Sequence, residues 1–325
     1  MEGNPIRIRS KYKGLTATII LFALFVIGMV GAVASIGWTT AVQALSNLGT
    51  GKVVLLLGFA TSHYFIRALR WHLLTRAVEL PTTFRQNMRH FFGGFALTAT
   101  PGRLGELVRL RWIGRETGWP PERSIPIVFA DRALELVAIT LLIVLAVGMS
   151  NLGTSAIWPV VAISVMLAWI SCRPKLLTHV VEMTWRGLGR GARFFVKLRR
   201  VTKGLGPFMT PKISGISIIL GMIGWFLEGA AFYILLAWLG VEISLWTATA
   251  IFLAAVLSGA LSGLPGGLGG TEAASVALLL LQGVSLETAL LATLVIRLTT
   301  LWYAVLLGLA VLPFSEAGSR HIAVR

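Results

Sequence analysis

Long apolar runs recur along the chain, separated by short polar or glycine- and proline-rich breaks. Residues 15–36, 53–74, 125–148 and 286–313 are each long enough, at about 1.5 Å per helical residue, to cross roughly 30 Å of hydrocarbon. Their repetition predicts a polytopic helical membrane protein rather than a single anchor. The segment 91–112 does not fit that scheme. It is apolar only over 91–100, is broken by Pro101-Gly102-Arg103-Leu104-Gly105-Glu106, and continues with Arg109, Arg111 and Arg115. About ten helical residues cover half a bilayer, so the pattern predicts a re-entrant hairpin that enters from the cytoplasm, turns at 101–106 and returns. Irregular backbone at that depth persists only when buried in protein or lining a wet cavity.

A second break, Pro265-Gly266-Gly267-Leu268-Gly269-Gly270-Thr271-Glu272, exposes an internal repeat. Pro101-Gly-x-Leu-Gly, Gly118, Glu122 and Arg132 match Pro265-Gly-x-Leu-Gly, Gly283, Glu287 and Arg297, with one residue inserted before Gly283. The spacing from Gly118 to Arg132 equals that from Gly283 to Arg297. Counting crossings makes the second hairpin enter from the opposite side. Inverted repeats with broken helices at the midplane are the architecture of alternating-access transporters; two packing hairpins in a rigid scaffold are the competing reading. The expected fold is therefore an all-α polytopic membrane protein of about six full spans plus two re-entrant broken-helix hairpins in inverted repeats. It forms one domain over 1–325, with repeat one at about 52–171, a basic loop at 173–212 and repeat two at about 213–313.

Composition agrees with that class: 56% of residues are hydrophobic and 13% charged, with a mean hydropathy of +0.81. A net charge of +16 invites a nucleic-acid reading, but the basic residues flank apolar spans instead of forming a soluble face. Ten of the twenty-nine Lys and Arg fall in 173–212, and Arg7, Arg9, Lys11 and Lys13 precede the first span. The positive-inside rule then places the N-terminus and the 173–212 loop in the cytoplasm, and counting crossings returns the C-terminus to the same side of an inner (cytoplasmic) membrane. Loops 39–52, 149–155 and 239–245 hold only Lys52 and are expected outside. The Ala32-Val33-Ala34 sequence resembles a signal cleavage site, yet the preceding apolar run is too long for a signal core and reads as a retained span.

The lone Cys172 excludes an intramolecular disulfide and suggests a reduced thiol on the cytoplasmic side. His63, His72, His90, His179 and His321 form no H-E-x-x-H pattern, and neither C-x-x-C nor a Walker-type loop occurs. No catalytic group, metal or cofactor is expected.

Ionisable residues at depth are expensive and are functional candidates by default. Arg297 and Glu228 both fall near the middle of their spans, 286–313 and a further apolar run at 213–238, so they either neutralise each other as a pair or serve different roles. In the second case Arg132 and Arg297, one per repeat, hold a lipid phosphate in turn, because the guanidinium fork suits phosphate oxygens and stays charged when buried. The returning half-helices are expected to begin at Gly105 and Thr271 and to aim N-terminal amides into the cavity. Glu106 and Glu272 then complement the helix dipole, pair with the arginine of their own repeat, or accept a proton. Ala255, Gly259 and Gly263 are read as a small-residue packing face. His63, Arg67 and Arg70 share one helix face, where arginines usually snorkel toward headgroups, and 186–203 reads as an interfacial helix.

These residues resemble the lysylphosphatidylglycerol synthase transmembrane-region family, which includes the flippase-like domain of multiple peptide resistance factors and its stand-alone relatives. The resemblance covers nearly the whole chain. It rests on P-x-R-x-G-E-x-x-R at 101–109, Asp131-Arg132 opening a span, Trp225 with Glu228, and P-x-G-x-G followed by Glu272 and Arg297. It implies translocation of a polar-headed, anionic or polyprenyl- or hopanoid-type lipid, with membrane lipids as partners and no nucleic acid. About twelve residues follow Pro313, so an aminoacyl-transferase domain is not expected. The candidate substrate-binding set is Arg103, Glu106, Arg109, Asp131, Arg132, Glu228, Glu272 and Arg297, with Pro101, Gly102, Gly105, Pro265, Gly267 and Gly269 shaping the hairpins. Two other readings stay open: a non-transporting membrane component of an envelope-lipid pathway, and an integral-membrane lipid transferase.

Overall fold

The computed structural model describes residues 38–98, 104–150, 158–171, 173–188 and 201–320, with the single positions 195 and 199. The expected first span at 15–36, the turn residues Pro101, Gly102 and Arg103, and Cys172 lie outside them. Every regular element among the described residues is helical. The first is α1 (Trp38–Ala77). It is followed by α2 (Phe84–Gly94), α3 (Leu104–Thr117), α4 (Pro121–Met149), α5 (Trp158–Ser171) and α6 (Pro174–Leu188). The second half holds α7 (Pro211–Trp238), α8 (Leu245–Leu261), α9 (Gly270–Leu281), α10 (Leu286–Arg297) and α11 (Tyr303–Arg320).

Four stretches are long and apolar enough to cross a membrane: Leu48–Ala77, Arg123–Met149, Pro211–Trp238 and Leu286–Ser319. The α5 and α6 segments meet at 90° and add a fifth if the bent pair counts as one span. This count of four to five among the described residues is coarser than the six expected. The stretch 39–52, expected as an external loop, is helical: it contains no proline, and its one interruption is Gly49, with φ of 72°. The last span also continues beyond Pro313, which sits inside α11.

Local chemistry sets the helix starts. Thr83 accepts from the Gln86 backbone N–H while the Gln86 side chain accepts from the Thr83 N–H, forming a capping box for α2. Ser244 and Ser285 cap α8 and α10 by accepting from the Thr247 and Thr288 backbone N–H groups, and Pro121 and Pro211 occupy the first turns of α4 and α7. Gly118 and Gly283, matched in the repeat, both adopt positive φ (72° and 77°) at the turn that leaves each hairpin.

The two hairpins, α2 with α3 and α8 with α9, cross in the same way. A Cβ on Gly105 would collide with the Gly94 carbonyl. In the second hairpin a Cβ on Gly270 would come within 3.2 Å of the Gly259 Cα and 2.9 Å of the Ser262 hydroxyl. Gly94 and Gly105 precede Gly259 and Gly270 by the same offset as Arg132 precedes Arg297, so the repeat legible in sequence also governs backbone approach. Gly259 does belong to a close-packing face, but Gly263 has left α8, has φ of 68° and meets nothing within 4 Å. The second hairpin packs on α7 and α4 in one apolar core containing Phe232, Leu253 and Val295; the first packs with α1 and α4 around Trp71, Phe91 and Leu134. The final helix returns to the first hairpin, where Ser315 donates to the Arg89 carbonyl and Trp112 and Arg115 both donate to Glu316.

Candidate functional site

Both hairpins, α1, α4, α7 and the α10–α11 span converge on one cavity of about 260 Å³. Its wall carries Glu106, Arg109 and Arg132 from the first half and Glu228 and Arg297 from the second.

In each repeat the hairpin carboxylate meets the span arginine. The Arg132 Nη2 lies 2.7 Å from Glu106 Oε1, and the Arg297 Nε–H donates to Glu272 Oε1 at 2.6 Å. Arg297 also donates from Nη2 to the Gly266 carbonyl at 3.0 Å, binding the glycine break to the span. Arg297 therefore pairs with Glu272 and not with Glu228, which sits beside His63 instead, 3.6 Å from its Nδ1. The α9 helix rises from the break directly against α10, so the short hairpin acid reaches the guanidinium first.

The second returning half-helix starts one residue earlier than expected, and the first is already helical at Leu104, where its described residues begin. Leu104, Gly105 and Glu106 therefore lie in α3 instead of the hairpin bend, and α9 begins at Gly270. Each helix thus carries an acid in its first turn, Glu106 and Glu272. Gly105 and Gly267 line the cavity, and Gly269, at φ of 80°, precedes α9. Pro265 opens the short turn before it.

Asp131 is recruited elsewhere. Its Oδ1 accepts from Arg70 Nε at 2.8 Å and lies 2.7 Å from Arg70 Nη2, with both side chains almost wholly buried. Arg67 reaches Glu135 Oε1 at 3.0 Å, and Arg132 donates to the other Glu135 oxygen. Arg67 and Arg70 therefore do not snorkel to headgroups. They turn inward because the facing α4 presents Asp131 and Glu135 one turn apart, and a paired charge is cheaper to bury than a lone one. Glu135, Arg67 and His63 are cavity residues that the sequence reading left out of the site. The signals were present as charges at helical spacing inside apolar runs, His63, Arg67 and Arg70 on one helix and Asp131, Arg132 and Glu135 on the other.

Arg109 differs from the other cavity arginines. It is 3% exposed, its guanidinium lies 4.1 Å from the centroid of the Phe91 ring and 5.4 Å from that of Trp71, and its Nε has no hydrogen-bond partner. Among the described residues no carboxylate lies within ion-pair distance of it. The aromatic faces partly offset the charge and leave the planar fork open to an oxyanion. Arg103 lies outside the described residues. Most of the expected interfacial segment 186–203 does too, although α6, ahead of it, turns aside from α5 at 90° and exposes Met183 and Trp185.

Residues 15–308 match the family model described as the lysylphosphatidylglycerol synthase TM region. A UPF0104 membrane protein of Methanothermobacter thermautotrophicus is 26% identical over 328 residues, spanning 94% of this chain and 96% of that protein. A further match to a UPF0104 membrane protein of the same organism is 36% identical over 111 residues, 34% of this chain and 33% of the relative.

Proposed function

Since the chain belongs to the lysylphosphatidylglycerol synthase TM-region family, we propose that it carries an anionic, phosphate-bearing lipid across the cytoplasmic membrane without altering it chemically. The observation that carries this reading is the single cavity shared by both hairpins, with an arginine from each repeat held by the glutamate of its own hairpin. Arg109 is the resting anchor for the phosphate, because its fork is buried, stacked and unengaged by acid. Arg132 and Arg297 take up the phosphate in turn when it displaces Glu106 or Glu272. Exchange of one oxyanion for another at a guanidinium keeps the charge paired at every stage, which limits the cost of burial.

The topology that goes with this mechanism has both termini and the basic 173–212 segment in the cytoplasm, and the second hairpin entering from outside. Opposed hairpins open a shared cavity to opposite faces. The lipid is polar-headed and anionic, of a phospholipid, polyprenyl-phosphate or hopanoid-derived kind, and the acyl or prenyl chains stay in the bilayer while the headgroup crosses.

The test is reconstitution into vesicles with a trace of fluorescent phosphatidylglycerol or polyprenyl phosphate, followed by chemical quenching of the outer leaflet. Wild-type protein should make the inner-leaflet label accessible well above the rate in protein-free vesicles, and Arg109→Gln should remove the difference. Equal rates with and without protein across that panel would favour a non-transporting component of an envelope-lipid pathway.

A further inference from the structure

Glu228 stands apart from the ion pairs of the cavity. It is 3% exposed, lines the cavity wall from the middle of α7, and its Oε2 has no hydrogen-bond partner. Its one basic neighbour within ion-pair distance among the described residues is His63, at 3.6 Å. That neighbour is committed elsewhere: His63 Nδ1 lies 2.8 Å from the Gly224 carbonyl, which can only accept, so Nδ1 carries a proton directed at Gly224.

The other groups facing Glu228 are also engaged. From α1, Arg67 pairs with Glu135, and Tyr64 donates its hydroxyl to the Thr300 carbonyl at 2.6 Å. From α4, Arg132 is shared by Glu106 and Glu135; from α10, Arg297 holds Glu272 and Gly266. The α8 helix presents no charged side chain. A buried carboxylate with a free oxygen and no committed cation is held ionised only by the arginine charge around it, so an added anion that uses up that charge favours its protonation.

Charge counting gives the direction of coupling. Among the described residues, the cavity lining and the side chains ion-paired to it hold five arginines (67, 70, 109, 132 and 297) and five carboxylates, Glu106, Asp131, Glu135, Glu228 and Glu272. These balance when Glu228 is ionised. A lipid phosphodiester adds one negative charge, and a proton on Glu228 removes one. We propose that Glu228 is a proton-binding site coupled to the lipid site, so that one anionic lipid and one proton occupy the cavity together and cross as a neutral set. This rests on the transport reading above and adds its energy source: the proton gradient drives the lipid. By linkage the effect is reciprocal, with bound lipid strengthening proton binding at Glu228 and low pH strengthening lipid binding.

Short-chain phosphatidylglycerol titrated into purified protein in weakly buffered detergent, with a pH-indicator dye and a parallel lipid-binding measurement, tests this directly. Wild type should take up on the order of one proton per lipid bound, and Glu228→Gln should bind lipid with no uptake. Lipid binding without uptake, or equal uptake in Glu228→Gln, would overturn the proton site while leaving the transport reading intact. Failure of wild type to bind either phosphatidylglycerol or a polyprenyl phosphate would overturn both. Should Glu228→Gln fail to fold, infrared difference spectra of the wild type decide. Growth of the protonated-carboxyl C=O band on lipid addition supports the site, and an unchanged band overturns it.

Discussion

Arg297 Nε donates to Glu272 Oε1 at 2.6 Å, tying the second hairpin to the span that follows it, and Arg132 makes the equivalent contact with Glu106 in the first half. Sequence spacing relates the two arginines, and three-dimensional pairing relates their partners. The substitutions that follow from this symmetry should therefore behave alike in the two halves.

Arg132→Gln and Arg297→Gln are each expected to abolish vesicle lipid movement, and lysine at either position to restore it only in part. Lysine keeps the charge but loses the planar fork that grips two oxygens. Loss of the charge-assisted hydrogen bond at Arg297 should cost about 1.5–3 kcal/mol in thermal unfolding. The double variant Glu272→Gln, Arg297→Gln separates structure from transport. Recovered stability with no lipid movement supports the binding role, and recovered stability with normal movement refutes it.

The buried Arg70–Asp131 pair makes a different forecast. Asp131→Asn leaves Arg70 only its longer, 3.5 Å contact to Glu135, which Arg67 and Arg132 already share, and should destabilise the folded protein by about 3–5 kcal/mol, as for other broken buried pairs. The measurement is the detergent-solubilised melting midpoint. A shift no larger than that of an exposed substitution such as Glu242→Gln would show that water or another acid compensates Arg70.

Close approach at the hairpin crossings is tested by adding one carbon. Gly105→Ala and Gly259→Ala should each cost about 1–3 kcal/mol through overpacking. Gly51→Ala, on an open helical surface with nothing within 4 Å of the added carbon, should be neutral or stabilising by about 0.5–1 kcal/mol. Equal melting midpoints for all three would mean that the crossings relax freely.

Orientation is tested by single cysteines placed on a Cys172→Ala background and labelled with a membrane-impermeant maleimide. Position 242, in the turn between α7 and α8, should label in intact cells, and position 175 only after permeabilisation. Reversal at position 242 alone would collapse the inverted arrangement on which alternating access depends.

Much of the architecture was legible in the chain because its signals are local. Apolar runs of span length give α4, α7 and the last span to within a few residues at most ends, and the two Pro-Gly breaks locate the hairpins. Partner choice was not legible, because it depends on which helices are neighbours. Glu228 and Arg297 share a depth by residue count, yet Glu272 rises beside Arg297 and claims it. His63, Arg67 and Arg70 looked like residues facing headgroups until Asp131 and Glu135 on α4 were placed opposite them. The helical character of 38–52 was hidden for a different reason: a short polar stretch carries little periodic signal, and Gly49, in a non-helical conformation, splits the run into two helical pieces that meet at a kink.

The turn immediately after Arg297 is wider than an α-helical one, a π turn over Leu298–Trp302. Its displaced Thr300 carbonyl is caught by the Tyr64 hydroxyl at 2.6 Å. The inserted residue sets the phase of everything downstream: Arg297 points at the cavity, while Gly308 and Ser315 meet the first hairpin at Ala96 and Arg89. Deleting any one residue of 298–302 would rotate α11 by about 100° relative to Arg297 and turn Gly308 and Ser315 away from their partners, although composition and hydropathy would hardly change. Chain length in this stretch is therefore under tighter constraint than residue identity, and a tolerated insertion or deletion is to be sought in the connections between helices.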